Sequence, residues 1–123
     1  MKISKQEYEY IMQDADIEAK RVLQEVCYYD LHKEKNIYKI EILVWDLAKK
    51  YVNREISPEV FNSICSYFNE GDEFYQMSGW AQDLISTGTE INYYLYQDQD
   101  SEELLKIQNF IKLLIKKHFA NNL

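Results

Sequence analysis

Ser57-Pro58-Glu59-Val60-Phe61-Asn62-Ser63-Ile64-Cys65-Ser66-Tyr67-Phe68-Asn69-Glu70-Gly71 is the stretch that decides the fold class. Ser57 offers an N-cap oxygen. Pro58 suits the first helical position, where a missing N–H loses nothing, and Glu59 places negative charge in the first turn. Val60, Phe61, Ile64, Cys65 and Phe68 recur at steps of three and four, an apolar stripe of helical period. Gly71 stands where a C′ residue ends a helix. The segment therefore predicts a helix from 58 to about 70.

The same grammar extends in both directions. Upstream, Ile37, Ile40, Val44, Leu47, Ala48 and Tyr51 keep the helical step and predict a helix over about 37–53. A strand over 38–44 is the competing reading, since Ile40, Ile42 and Val44 alternate. Further upstream, Ser4-x-x-Glu7 is a capping box. Tyr8, Ile11, Ala15, Ala19, Val22 and Val26 then form one face of a first helix over about 5–29. The polar run Asp30 to Asn36 reads as a loop. Downstream, Phe74, Met77, Ala81, Leu84 and Ile85 predict a helix from Asp72 that ends at Thr87-Gly88.

Residues 89–100 read either as a short helix or as an extended segment near 90–97, because Ile91 to Tyr96 is rich in β-prone side chains. Asp100-Ser101-Glu102-Glu103 then caps a last helix over about 101–120. Its inner face is Leu104, Leu105, Gln108, Ile111, Leu114, Ile115 and His118. Lys112, Lys116 and Lys117 gather near its C-terminus, where the helix dipole favours cations.

With three glycines and one proline in 123 residues, the chain lacks the breakers that strand-rich folds need. No repeat or linker divides it. The expectation is a single all-α domain over 1–123, a compact bundle of four to five amphipathic helices. Cys27 and Cys65 show no paired spacing and read as reduced, buried thiols, with one disulfide as the alternative. The N-terminus has no apolar signal region, and no stretch approaches the ~20 apolar residues of a membrane span. A cytoplasmic location is expected.

The net charge of −7 is unevenly placed. Residues 57–105 hold ten acidic side chains and no basic one, whereas 31–56 and 106–123 are net positive. The acidic stretch also contains nine of the eighteen aromatics. Phe61, Phe68 and Phe74 sit on the apolar stripes and belong to the core. Tyr67, Tyr75, Trp80, Tyr93 and Tyr96 are harder to bury together. Tyrosine and tryptophan beside carboxylates suit an interface, and a negative field repels nucleic acid and attracts basic proteins. A merely solvated acidic face is the alternative, since such faces also keep proteins soluble.

Recognisable catalytic chemistry is absent from the sequence. His32 and His118 have no spaced His or Cys partner for zinc. Asp98-Gln-Asp100-Ser-Glu102 begins like a calcium loop, but Glu103 stands where the glycine belongs and Asn109 where the final glutamate belongs. No glycine-rich phosphate loop exists. No basic patch could hold a nucleic-acid backbone. No cofactor is expected.

Size, acidity, helical pattern and the aromatic-acidic stretch from Tyr67 to Tyr96 together resemble the small acidic helical immunity proteins of low-GC bacteria. Those proteins bind and block a cognate toxin domain, often a nuclease. The likeness is one of overall character; 53–59 does not match the colicin-type signature. It implies a non-catalytic inhibitor of a basic protein partner, with carboxylates mimicking phosphates and aromatics anchoring. The candidate contact residues are Glu70, Asp72, Glu73, Tyr75, Trp80, Asp83, Tyr93, Tyr94 and Asp98. A phage or host regulatory or adaptor protein is the competing class, told apart by gene neighbourhood. An enzyme with an unrecognised site would show a deep pocket with strongly perturbed titratable groups.

Overall fold

A computed structural model describes residues 3–26 and 36–121. Among these residues five α-helices follow one another: α1 (Lys5–Arg21), α2 (Ile37–Val52), α3 (Pro58–Asn69), α4 (Gly79–Gly88) and α5 (Ser101–Asn121). No strand occurs among the described residues, so 38–44 is helical and the strand reading is discarded. Cys27, His32 and most of the 30–36 loop lie outside the described residues, as does the side chain of His118.

Three helix starts follow from side-chain oxygens in the sequence. Ser4 Oγ accepts from the Glu7 N–H at 3.1 Å, and Ser57 Oγ accepts from Val60 at 3.2 Å. Asp100 Oδ1 accepts from both Glu102 and Glu103 at 3.1 Å, which satisfies two otherwise unpaired amides of α5. A fourth start was not foreseen: Asn36 Oδ1 accepts from Lys39 at 3.2 Å and opens α2.

Several boundaries differ from the sequence reading. The α-helical part of the first helix ends at Arg21 and widens into a π turn, Val22–Val26. Gly71 ends nothing by a left-handed turn. Its φ is −80°, and Glu70 is the C-cap of α3. Asp72 opens a short 3₁₀ turn, Asp72–Gln76, rather than a helix. The chain then extends through Met77 and Ser78 before α4 begins at Gly79. Asp72 has no helix behind it because α4 takes its first cap from elsewhere: Glu41 Oε1 on α2 accepts from the Ser78 N–H at 2.7 Å.

The ambiguous residues 89–100 are helical in their first part. A π turn, Tyr93–Gln97, continues from α4, and Gln99, with φ of 52°, turns the chain into α5. The extended reading near 90–97 is thereby corrected. The wide turn is tied down from within. Asn62 Oδ1 on α3 accepts from the Asn92 N–H at 2.9 Å, and Asn92 Nδ2 donates to Met12 Sδ at 2.8 Å.

The core gathers around α3, which packs on α1, α2 and α4, while α5 lies along α2 and α4. Phe61, Ile64, Cys65, Leu47, Ala48, Leu84, Ile85, Ile91 and Ile111 are fully buried. Fully burying one such large aliphatic or aromatic side chain stabilises by about 1.5–3 kcal/mol. Tyr51 stacks face to face on Phe61, with centroids 4.7 Å apart. α4 closes on α3 at Gly88. A Cβ there would sit 3.0 Å from Cys65 Cβ and 3.2 Å from Phe61 Cε2, with Cys65 Sγ nearer still. On α5 the inner face is Ile107 and Ile111, flanked by Leu104, Leu114 and Ile115. Leu105, expected inside, is 56% exposed. It sits one helical step of ~100° away from Leu104.

Candidate interaction surfaces

The direction of α3 decides how the acidic stretch is distributed. At its start, Glu59 accepts a hydrogen bond from the Tyr96 hydroxyl, and Asn92 lies against Asn62. At its end stand Glu70 and the turn to Asp72. The helical rise from residue 59 to residue 70 is about 16 Å. The candidate residues therefore divide into two groups at opposite ends of α3, with Trp80 and Asp83 on α4.

The first group is Glu70, Asp72, Glu73 and Tyr75. Glu70 and Asp72 are exposed, Glu73 is half-buried, and Tyr75 is 81% exposed with its ring set edge-on to the buried Phe74. Phe74 fixes the turn in the core, and the turn in turn holds Tyr75 outward. Tyr67, one turn before Gly71, is exposed beside this group and packs edge-on against Phe68. It also lines a cleft of about 290 Å³ between α1 and α3, together with Asp16, Lys20 and Glu70.

The second group surrounds Tyr94. Tyr93 is 49% exposed, and its ring meets that of Tyr94 edge-on at 5.1 Å. The Tyr94 phenol is pushed above its ordinary range, first by desolvation and then by the negative charges of Glu103, Glu90 and Asp98. Of these carboxylates only Asp98 is among the contact residues expected from sequence. Glu90 stands eight residues before Asp98 and Glu103 five after it, yet the charges of all three act on the Tyr94 phenol across the π turn and the α5 cap. One cation enters the group: Lys106 Nζ lies 3.0 Å from Glu103 Oε1, and that pairing raises its pKa. Exposed pairs of this kind contribute little stability.

Trp80 is not a free anchor. It is half-buried, set edge-on to Trp45 of α2 with centroids 4.8 Å apart, and seals the edge of the core. Asp83 is exposed. Tyr96, half-buried, is held by Glu59 and by an edge-on contact with Tyr8. Its hydroxyl pKa is pushed up, by desolvation first and by Glu59 next. Tyr96 thus belongs to the frame beneath Tyr93 and Tyr94 rather than to the open surface.

Among the described residues, no group of three or more His, Cys, Asp or Glu side chains could hold a metal ion. Cys65 is fully buried, and burial pushes its thiol up, so the nucleophilic thiolate is disfavoured there. No described helix is long and apolar enough to cross a membrane. No protein-family model, curated protein or solved structure matches the chain.

Proposed function

We propose that this chain is a non-catalytic binding protein that neutralises a basic protein partner, in the manner of a bacterial immunity protein acting on a toxin domain. The observation that carries the reading is the second group: two tyrosine rings packed edge to face, one of them open to solvent, with Glu90, Asp98 and Glu103 near enough for their charge to act on Tyr94. Rigid aromatic area at the centre of a negative surface gives contact at small entropy cost. The carboxylates around it steer a cationic partner and reject an anionic one. The first group, with the exposed Tyr75, extends the same chemistry to the far end of α3. A cytoplasmic site of action, where such a partner would be met, belongs to this reading.

Affinity capture from the source organism, followed by identification of the bound protein, supplies the partner. Its association rate is then measured against salt for two charge-reversed variants. One carries Glu90→Lys with Asp98→Lys; the other carries Glu70→Lys, Asp72→Lys and Glu73→Lys. The first is expected to slow association about tenfold or more and to flatten its salt dependence. Unaltered association rates in both variants would remove the acidic surface as the binding face.

A further inference from the structure

The cleft of about 290 Å³ between α1 and α3 is lined by a distinctive set of side chains. Sites for drug-sized molecules begin at about 300 Å³, so this one suits a single side chain rather than a helix. Its floor is apolar, since Ala19, Leu23 and Ile64 line it and are buried. Its rim is anionic. Asp16 on α1 and Glu70 at the end of α3 both line the cleft and are exposed, and Lys20 is the one cation among the described lining residues.

Ser63 points to an occupant. It lines the cleft and has only 8% of its surface exposed. Its hydroxyl has no hydrogen-bond partner among the described residues, and it is not one of the polar atoms sealed inside the core. The oxygen therefore opens into the cleft, and whatever fills that space must supply it with a donor. Ser66 lines the same wall and accepts from Asn62 Nδ2 at 3.5 Å, which leaves its second lone pair for another donor. Tyr67, exposed on that wall, adds an aromatic ring.

We propose that this cleft receives a guanidinium, presented by the basic partner as an arginine side chain. The inference rests on the functional reading above and names one contact within it. The methylene stem would lie on the apolar floor. A guanidinium carries five N–H donors in a planar fork and accepts nothing. The lining offers the acceptors such a group needs: the Asp16 and Glu70 carboxylates and the hydroxyls of Ser63 and Ser66. The Tyr67 ring offers π surface to the same cation. A lysine ammonium has three donors about a point and engages fewer of these acceptors at once. Two carboxylates against Lys20 favour a cation over an anion, and Asp72 and Glu73, which follow Glu70 in the chain, add to that field.

The test uses the intact, isotope-labelled chain and three small probes: N-acetyl-arginine amide, N-acetyl-lysine amide with a free side-chain amine, and N-acetyl-citrulline amide, which keeps the arginine shape without the charge. Heteronuclear NMR titration is expected to show the arginine probe binding with a Kd of about 1 mM, with shifts centred on the Ser63, Tyr67 and Glu70 amides. Citrulline should bind at least about tenfold more weakly, and lysine about threefold more weakly. Asp16→Asn and Ser63→Ala should each weaken arginine binding about fivefold or more. Neither side chain makes a hydrogen bond among the described residues, so both substitutions spare the fold. Glu102→Gln, exposed on α5 and outside the cleft lining, removes the same charge and should leave binding unchanged.

Equal binding of arginine and citrulline overturns the proposal, as does an arginine probe that leaves the cleft amides unshifted. Equal losses in Asp16→Asn, Ser63→Ala and Glu102→Gln also overturn it, because general surface charge then holds the probe. The reading beneath it fails separately. If no probe binds while charge reversal still slows association with the captured partner, the cleft falls and the acidic surface stands. If the arginine probe binds in the cleft while association is unaltered in both charge-reversed variants, the occupant is a free guanidinium and the partner's side chain is excluded.

Discussion

Replacing Gly88 by alanine tests whether the α3–α4 contact is as close as described. On helix propensity alone the change should stabilise, since glycine is about 0.8–1.0 kcal/mol less favourable than alanine inside a helix. Gly88 is the last residue of α4, so the gain there is smaller. Against it stands the space. The new methyl would meet Cys65 Sγ well inside van der Waals contact, Cys65 Cβ at 3.0 Å and Phe61 Cε2 at 3.2 Å. All three atoms belong to fully buried residues. Overpacking of this kind costs typically ~1–3 kcal/mol, so a net loss of about 2 kcal/mol is expected. With an unfolding entropy of ~2.1 cal/mol/K per residue, a 123-residue domain loses about 8 °C in Tm for that amount. Thermal unfolding followed by circular dichroism measures it. Removing Sγ should return part of the loss, so Cys65→Ala with Gly88→Ala should be at least about 1 kcal/mol more stable than the two single effects added. A Gly88→Ala protein as stable as the parent, or additive single and double variants, would refute the close approach.

Two more outcomes follow from the frame beneath the tyrosines. Asn62→Leu leaves the Asn92 N–H buried without the carbonyl that now accepts from it, and denaturant unfolding should show a loss of about 1–3 kcal/mol. Tyr96 has a folded pKa raised above its unfolded value of ~10, by desolvation first and by Glu59 next. The stability this contributes is fully present below about pH 10 and is lost as pH rises towards the folded value, because the unfolded chain gives up its proton first. Urea unfolding carried through that range should therefore show a falling ΔG whose slope is shallower in Tyr96→Phe. Identical slopes would contradict the placement of Tyr96.

Helix identity was legible wherever its cause was local. The caps at Ser4, Ser57 and Asp100 and the apolar steps of α2 and α3 are short-range chemistry, readable within a few residues. What was not legible depends on a second element. Asp72 looks like a helix start, yet the true start of α4 uses a carboxylate from α2. Leu105 and Ile107 are both apolar and near each other on α5. Which one turns inward is set by how α5 lies on α2 and α4, and a single-helix periodicity does not contain that. The π turn at Tyr93–Gln97 reads as β-prone by residue type, and buried amide contacts to Asn62 and Met12 override that preference. For the same reason the candidate site came out as one block in sequence and as two groups in space. Glu90 and Glu103 were overlooked as neighbours of Tyr94 because only the turn joins them. A tyrosine pair followed within ten residues by Asp and Glu on either side of a turn was the available signal.

The Glu41 carboxylate that receives the Ser78 amide has a consequence for the order in which the chain acquires structure. α4 has only ten residues and no side chain of its own at its N-terminus to close it. Helices that short are marginal in water. A helix whose start signal sits 37 residues upstream cannot report its own formation locally. It gains its first turn when α2 arrives, so the amide protons at the start of α4 should exchange together with those of α2. That one hydrogen bond thus ties the start of α4 to a helix distant in sequence.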